Sequence, residues 1–183
     1  MLRAHLYRAH LYRAVIIAAG AGTLACNRLD ATSHVTTPAD SAAGEIEFRL
    51  SPRASAIIVP VYINGRGPVN LILDTGSTLT CLDDSLAREF DLPRRLGAVG
   101  VGAGVGVSGP VKLLRVDSLR VGRTSVSNIT VCSLDLAALQ KVSPGARGLL
   151  GLNFLKSFRM SLDFKRRVLR LGSPLTSAFA AHR

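Results

Sequence analysis

Leu71-Ile72-Leu73-Asp74-Thr75-Gly76-Ser77 is the stretch on which the reading of this chain turns. Three aliphatic residues closed by turn chemistry read as a buried strand that ends on a carboxylate. Gly76 lets the backbone turn tightly and come close to a neighbouring segment. Thr75 and Ser77 bring hydroxyls that can bond backbone or carboxylate inside such a turn. Asp-Thr-Gly alone also ends ordinary strands, so the flanking sequence decides.

Upstream, residues 56–63 and 69–73 are apolar runs separated by Asn64-Gly65-Arg66-Gly67-Pro68. Asn-Gly between two such runs marks a β-hairpin, and its second strand delivers Asp74 at its C-terminal end. Downstream, Leu82, Leu86 and Phe90 recur every four residues behind Asp83, which predicts a short helix over 83–90, stopped by Pro93. In the second half, Gly148-Leu149-Leu150-Gly151-Leu152-Asn153-Phe154-Leu155 is another apolar strand end closed by Gly and followed by a helix-like segment.

With both motifs in hand, the chain resembles the retropepsin-like aspartic proteases, in particular the bacterial single-domain members. The resemblance runs from about residue 54 to 171, with its elements in the same order. It implies an all-β, closed-barrel acid-protease fold with one or two short helices, working as a homodimer. It makes Asp74, Thr75 and Gly76 the catalytic turn. Ser77, Leu150, Gly151 and Asn153 become its structural support, in a pair of crossed loops that hold the turn in place.

The resemblance also gives a place to the glycines at 97, 100, 102, 104, 106 and 109. Gly104-Val105-Gly106-Val107-Ser108-Gly109 matches the dinucleotide pattern Gly-x-Gly-x-x-Gly in letters only. Pro110 and a strand-like run over 111–121 follow it, where a nucleotide site needs a helix. In the family this region is the flap, a mobile hairpin over bound peptide, and Gly100, Gly102, Gly104 and Gly106 suit that role. Residues 116–121 and 126–134 read as two strands joined through Gly122-Arg123, and 160–164 with 168–171 as a last hairpin.

One Asp-Thr-Gly stands in the chain; Asp117-Ser118 and Asp163-Phe164 lack the glycine. An aspartic peptidase uses two carboxylates too close to ionise together, so that one proton is shared and the ionised partner activates water. A single Asp74 therefore requires a second chain across a two-fold axis. The expected activity is endopeptidase cleavage of peptide or protein substrates, without cofactor or metal. The four His lie at 5, 10, 34 and 182, outside the core, so parts for a zinc or Ser-His mechanism are missing. The alternative from another class is an exported, non-catalytic peptide- or ligand-binding protein on the same fold.

At 183 residues the chain suits one domain, and 48% hydrophobic with 5% aromatic residues and no Trp suits a β-rich core of Val, Leu and Ile. The N-terminus reads differently. Arg3-Ala4-His5-Leu6-Tyr7 repeats as Arg8-Ala9-His10-Leu11-Tyr12, too short a unit to build a solenoid. A basic segment, an apolar run over 14–25 and small residues before Cys26 predict a signal peptide over 1–25. Cys26 is a candidate for lipid attachment, although Thr23 and Leu24 stand one position out of the lipoprotein register. Residues 26–44, rich in Ser, Thr, Ala, Pro and Asp, read as a flexible tether. The domain is expected over 45–173, with a loose tail over 174–183, and the protein is expected in the cell envelope or periplasm, either released or anchored to the membrane through its N-terminus.

The net charge is +11, and loss of Arg3, Arg8 and Arg13 with the signal would leave +8. Sparse aromatics argue against nucleic acid as partner. The densest cluster, Lys165-Arg166-Arg167, falls at the last hairpin turn, as solvated charge or as a contact with anionic membrane. Cys81 and Cys132 sit in apolar, strand-like runs, where each reads as a small buried hydrophobe; sequence leaves open whether they bridge.

Overall fold

The structure, a computed structural model, describes residues 34–36, 44–53, 56–104 and 107–172. The expected signal, Cys26, Gly106 and the tail over 174–183 lie outside the described residues.

The strands are β1 (His34–Thr36), β2 (Glu45–Glu47), β3 (Arg49–Leu50), β4 (Ile57–Ile63), β5 (Arg66–Leu73), β6 (Cys81–Asp83), β7 (Arg94–Gly104), β8 (Val107–Val121), β9 (Thr124–Leu134), β10 (Gly148–Leu150), β11 (Arg159–Asp163) and β12 (Val168–Gly172). Three short helices interrupt them: α1 (Asp84–Glu89), α2 (Ala137–Val142) and α3 (Leu152–Leu155). Six strands, in the order β9-β6-β10-β5-β4-β8, close on themselves through the β8–β9 ladder. The closed all-β barrel expected from sequence is the fold. A separate three-stranded sheet, β11-β12-β2, lies beside it.

The β4–β5 hairpin forms as its turn chemistry dictates. Asn64 (φ 50°) and Gly65 (φ 78°) are both left-handed, the pairing that matches the twist of two antiparallel strands. Asn64 is further tied to β8: its N–H donates to the Ser118 carbonyl at 2.8 Å, and its Oδ1 accepts from Ser118 N at 3.0 Å. Along β4, Val59, Val61 and Ile63 are fully buried and face Leu71, Val116, Leu119, Val121 and Leu150 in one core.

Helix α1 begins one residue later than expected, because Asp83 is its N-cap: the side chain accepts from Ser85 N at 2.9 Å. It ends before Pro93 can act. Asp91 turns left-handed (φ 50°), and Leu92 N donates back to the Ala87 carbonyl. Helix α2 has no counterpart in the sequence reading; a four-residue signal, Ala137 to Gln140, follows Asp135, whose Oδ1 accepts from Ala137 N at 2.9 Å. Within the expected tether, His34–Thr36 pairs with Ser125–Ser127 of β9 as an edge strand.

The cysteine question is answered by the sheet. Cys81 of β6 stands opposite Cys132 of β9 in the parallel register, with Cα atoms 4.4 Å apart, and the two form a disulfide. What the sequence left open is thus settled, and both side chains are buried as expected. Apolar surroundings in the sequence mark burial, but nothing in them reveals that two strands 51 residues apart lie side by side.

Candidate active site

Two parallel neighbours, β5 and β10, set the site. Leu149 pairs with Ile72 and Leu150 with Leu73, so the residues that leave the two strands, Asp74 and Gly151, emerge side by side. Asp74 N donates to the Leu150 carbonyl at 3.0 Å, which anchors the first residue of the turn to the last of the facing strand. Gly76 N donates to Asp74 Oδ1 at 2.9 Å. That bond fixes the carboxylate's rotation and leaves Oδ2 without a partner among the described residues. Thr75 and Gly76 are exposed, Asp74 half-buried.

The chain leaving Asp74 and the chain leaving β10 are laced together by backbone bonds. Leu152 N donates to the Ser77 carbonyl at 2.8 Å, and Asn153 N to the Thr78 carbonyl at 3.0 Å. Ser77 Oγ donates to the Leu79 carbonyl at 2.7 Å. Gly151 is required by contact: a Cβ there would run into the Leu79 carbonyl group and within 2.8 Å of Thr80 N. Among the residues singled out in the sequence, Asp74, Thr75, Gly76, Ser77, Leu150, Gly151 and Asn153 are brought together in one cradle.

Asn153 is its knot. Its Oδ1 accepts from Thr80 N at 2.8 Å and from Thr80 Oγ1 at 2.9 Å. Its Nδ2 donates to the Thr130 carbonyl of β9 at 2.7 Å. Thr80 also accepts from Gly151 N at 3.1 Å through its hydroxyl and from Cys132 N at 2.8 Å through its carbonyl. Thr80 is wholly buried with its polar atoms satisfied, as such a position demands. Sequence reasoning missed Thr80. Its only signal is a lone Thr between Leu79 and Cys81, and its partner Asn153 is 73 residues away.

The glycine-rich segment forms the long arms of the β7–β8 hairpin. Gly100 pairs with Val111, Gly102 with Gly109 and Gly104 with Val107. These glycines are in one hairpin, and among the described residues none is bonded to the Asp74 cradle.

Two other carboxylates are held in place by their neighbours. Burial pushes the Asp84 carboxyl up, but the hydrogen bond from Lys112 Nζ, 2.8 Å away, and the Ser133 hydroxyl outweigh it and hold the group below the ordinary Asp value. Burial likewise opposes ionisation of Asp83, outweighed by the Ser85 hydroxyl and the N–H groups of Ser85 and Leu136. A concavity of about 310 Å³ lies over this region, lined by Asp84, Arg88, Arg94, Lys112, Leu114 and Ser133. No residue of the Asp74 cradle lines it, so it is not the place where that carboxylate acts.

With this geometry in place, the family follows. The family model described as aspartyl protease matches residues 59–154, from β4 through α3. The chain belongs to the aspartyl protease family. Solved structures similar to it include a retropepsin-like aspartic protease from Rickettsia conorii (18% identity, 78% of this chain and 94% of that one, TM-score 0.48). The retroviral protease-like domain of Ddi1 from Leishmania major also matches (18%, 64% and 93%, 0.41). So does EIAV protease in complex with the inhibitor HBY-793 (24%, 52% and 93%, 0.29). No curated protein matches the chain in sequence.

Proposed function

We propose that the protein is an aspartic endopeptidase whose active site is completed by a second copy of the same chain, Asp74 facing Asp74 across a two-fold axis. The observation that carries this is the Asp74 turn itself. The carboxylate is oriented through Oδ1 by Gly76 N, its Oδ2 has no partner among the described residues, and the next two residues are exposed. The chain supplies one such turn, whereas the reaction needs a carboxylate pair that shares a proton. The Thr75 hydroxyl, which has no partner within the chain among the described residues, is free to bond across the axis. Leu152, 38% exposed beside the turn, offers apolar surface to the mate. A substrate cleft built between two chains is not a cavity of one, which agrees with the concavity lying elsewhere.

In this mechanism the ionised Asp74 takes a proton from water, which attacks the scissile carbonyl. The protonated Asp74 of the other chain donates to the carbonyl oxygen. The resulting tetrahedral species collapses as the amine leaves with a proton, and no covalent enzyme intermediate forms. The β7–β8 hairpin closes over the peptide as a flap, with Gly100, Gly102 and Gly104 giving its backbone freedom.

Asp74→Asn tests the reading. Asn keeps the shape but cannot carry the negative charge, so peptide hydrolysis should fall by at least about 1,000-fold with the fold intact. Excess mutant chain mixed with wild type under exchange conditions should poison activity, because a mixed dimer holds one ionisable Asp74. A monomer fully active at every dilution, uninhibited by the mutant, would overturn the dimeric site.

We further infer export. The basic segment and apolar run before Cys26 support it, and the Cys81–Cys132 disulfide suits an oxidising compartment outside the cytoplasm. The natively expressed protein should begin at or near Cys26, with or without a lipid mass increment. Intact-mass measurement decides: a chain beginning at Met1 in the cytosol sinks the idea.

A further inference from the structure

We propose that the turn between β11 and β12, residues 164–167, is a docking surface for an anionic phospholipid bilayer. Phe164 is 58% exposed, the most exposed large hydrophobic side chain among the described residues. One exposed ring alone needs no explanation; its setting does. The ring stands edge-on to Phe48, with centroids 5.7 Å apart and planes at 78°, while Phe48 is 2% exposed. One side of the ring is therefore seated on the core while the rest is offered to solvent.

The turn is held rigidly in that pose. Phe48 N donates to the Arg167 carbonyl at 3.0 Å, and Asp163 Oδ1 accepts from Arg166 N at 2.9 Å. The three cations that follow Phe164 divide by role. Arg166 is engaged in two hydrogen bonds to Glu45, at 3.0 and 2.8 Å, which bind the turn to β2. Arg170 first, then Arg166, hold the Glu45 carboxyl below its ordinary value. Lys165 and Arg167 have no ion-pair partner among the described residues. The result is a fixed aromatic at a hairpin tip, flanked by two unneutralised cations.

That arrangement matches an acidic bilayer surface, where an aromatic ring enters the headgroup boundary and cations meet lipid phosphates. A merely solvated turn accounts for the charges but leaves the ring in water. A single-stranded nucleic acid would call for several stacking rings along a basic groove, and Phe164 is the one exposed aromatic ring among the described residues. The net charge of +11 favours the same class of partner.

The absence of Trp from the chain gives a clean reporter. In the full-length protein, Phe164→Trp places a single indole at the tip. With vesicles of phosphatidylglycerol and phosphatidylcholine its emission should shift to the blue and be quenched by brominated acyl chains; with phosphatidylcholine alone neither should occur. Adding Lys165→Gln and Arg167→Gln should weaken that quenching response roughly five-fold per cation removed. Because the indole reads local insertion, membrane binding through the N-terminal segment does not imitate the result. Phe164→Ser in the otherwise natural chain should leave peptide hydrolysis unchanged, showing that the tip is dispensable for folding. Absence of quenching on anionic vesicles, equal quenching on both kinds, or a spectral change with oligonucleotide but not with vesicles would each overturn the proposal.

Discussion

The Asp74 cradle and the β7–β8 hairpin differ in how many directions hold them. In the cradle, Thr80 alone is bonded to Asn153, Gly151 and Cys132, from α3, the end of β10 and β9, and the neighbouring Cys81 is covalently joined to β9. Strand β7, by contrast, ends the sheet and among the described residues is paired with β8 alone. The turn that carries Asp74 is thus over-determined, whereas the outer arm of the hairpin is attached along one edge. Local stability in proteins varies in this way, and moving elements come from its low end.

The contrast breaks most completely at Gly151. In Gly151→Ala the new Cβ meets backbone on both sides of the Leu79–Thr80 peptide, and backbone cannot swing aside as a side chain can. A loss of about 3 kcal/mol or more is expected from overpacking, with hydrolysis abolished along with it. Urea denaturation reads the first and a peptide assay the second. A variant of wild-type stability would mean that the cradle is looser than its contacts imply.

The β7–β8 hairpin, the proposed flap, should show the opposite pattern. Gly102→Pro with Gly104→Pro removes two backbone donors from a ladder that ends the sheet. Turnover should fall about ten-fold or more, since closure is a conformational step, while global stability changes by less than about 1 kcal/mol. Unchanged kinetics would make the hairpin a bystander and remove half of the comparison.

What could be read from sequence divides along the same line. Asn64-Gly65, the apolar run into Asp74 and the Leu-Leu-Gly before Asn153 are local signals, and each lies where its chemistry put it. The partners that make the cradle rigid are not local. Thr80 looks like any Thr until β10 and α3 bring Gly151 and Asn153 to it. The disulfide depends on the parallel β6–β9 register, and β1 on an edge of β9 that offers unpaired backbone to a polar, Pro-containing stretch. Helix α1 was legible because a period of four marks one face, but its C-terminal limit was not, since Asp91 stops it by turning left-handed before Pro93.

The smallest effect concerns pH, at the ground where cradle and hairpin meet. Asp84 opens α1, just after β6, and bonds Lys112 at the base of the hairpin's second arm. Its carboxyl, like that of Asp83, lies below the ordinary Asp value in the folded protein. A folded-state value depressed in this way makes ionisation favour the native state. The contribution is complete above the unfolded-state value and is lost as pH falls from about 4 through the lower folded value. Stability should therefore decline in that acid range. Lys112→Met removes the cation that lowers Asp84 and should flatten part of the decline. At neutral pH the same substitution should cost on the order of 1 kcal/mol or less, because both side chains are partly exposed. Thermal unfolding of the two proteins from pH 7 to pH 3 makes the comparison. Parallel curves would show that the Asp84–Lys112 pair contributes nothing to the acid limit, leaving Asp83 and the cap of α1 to account for it.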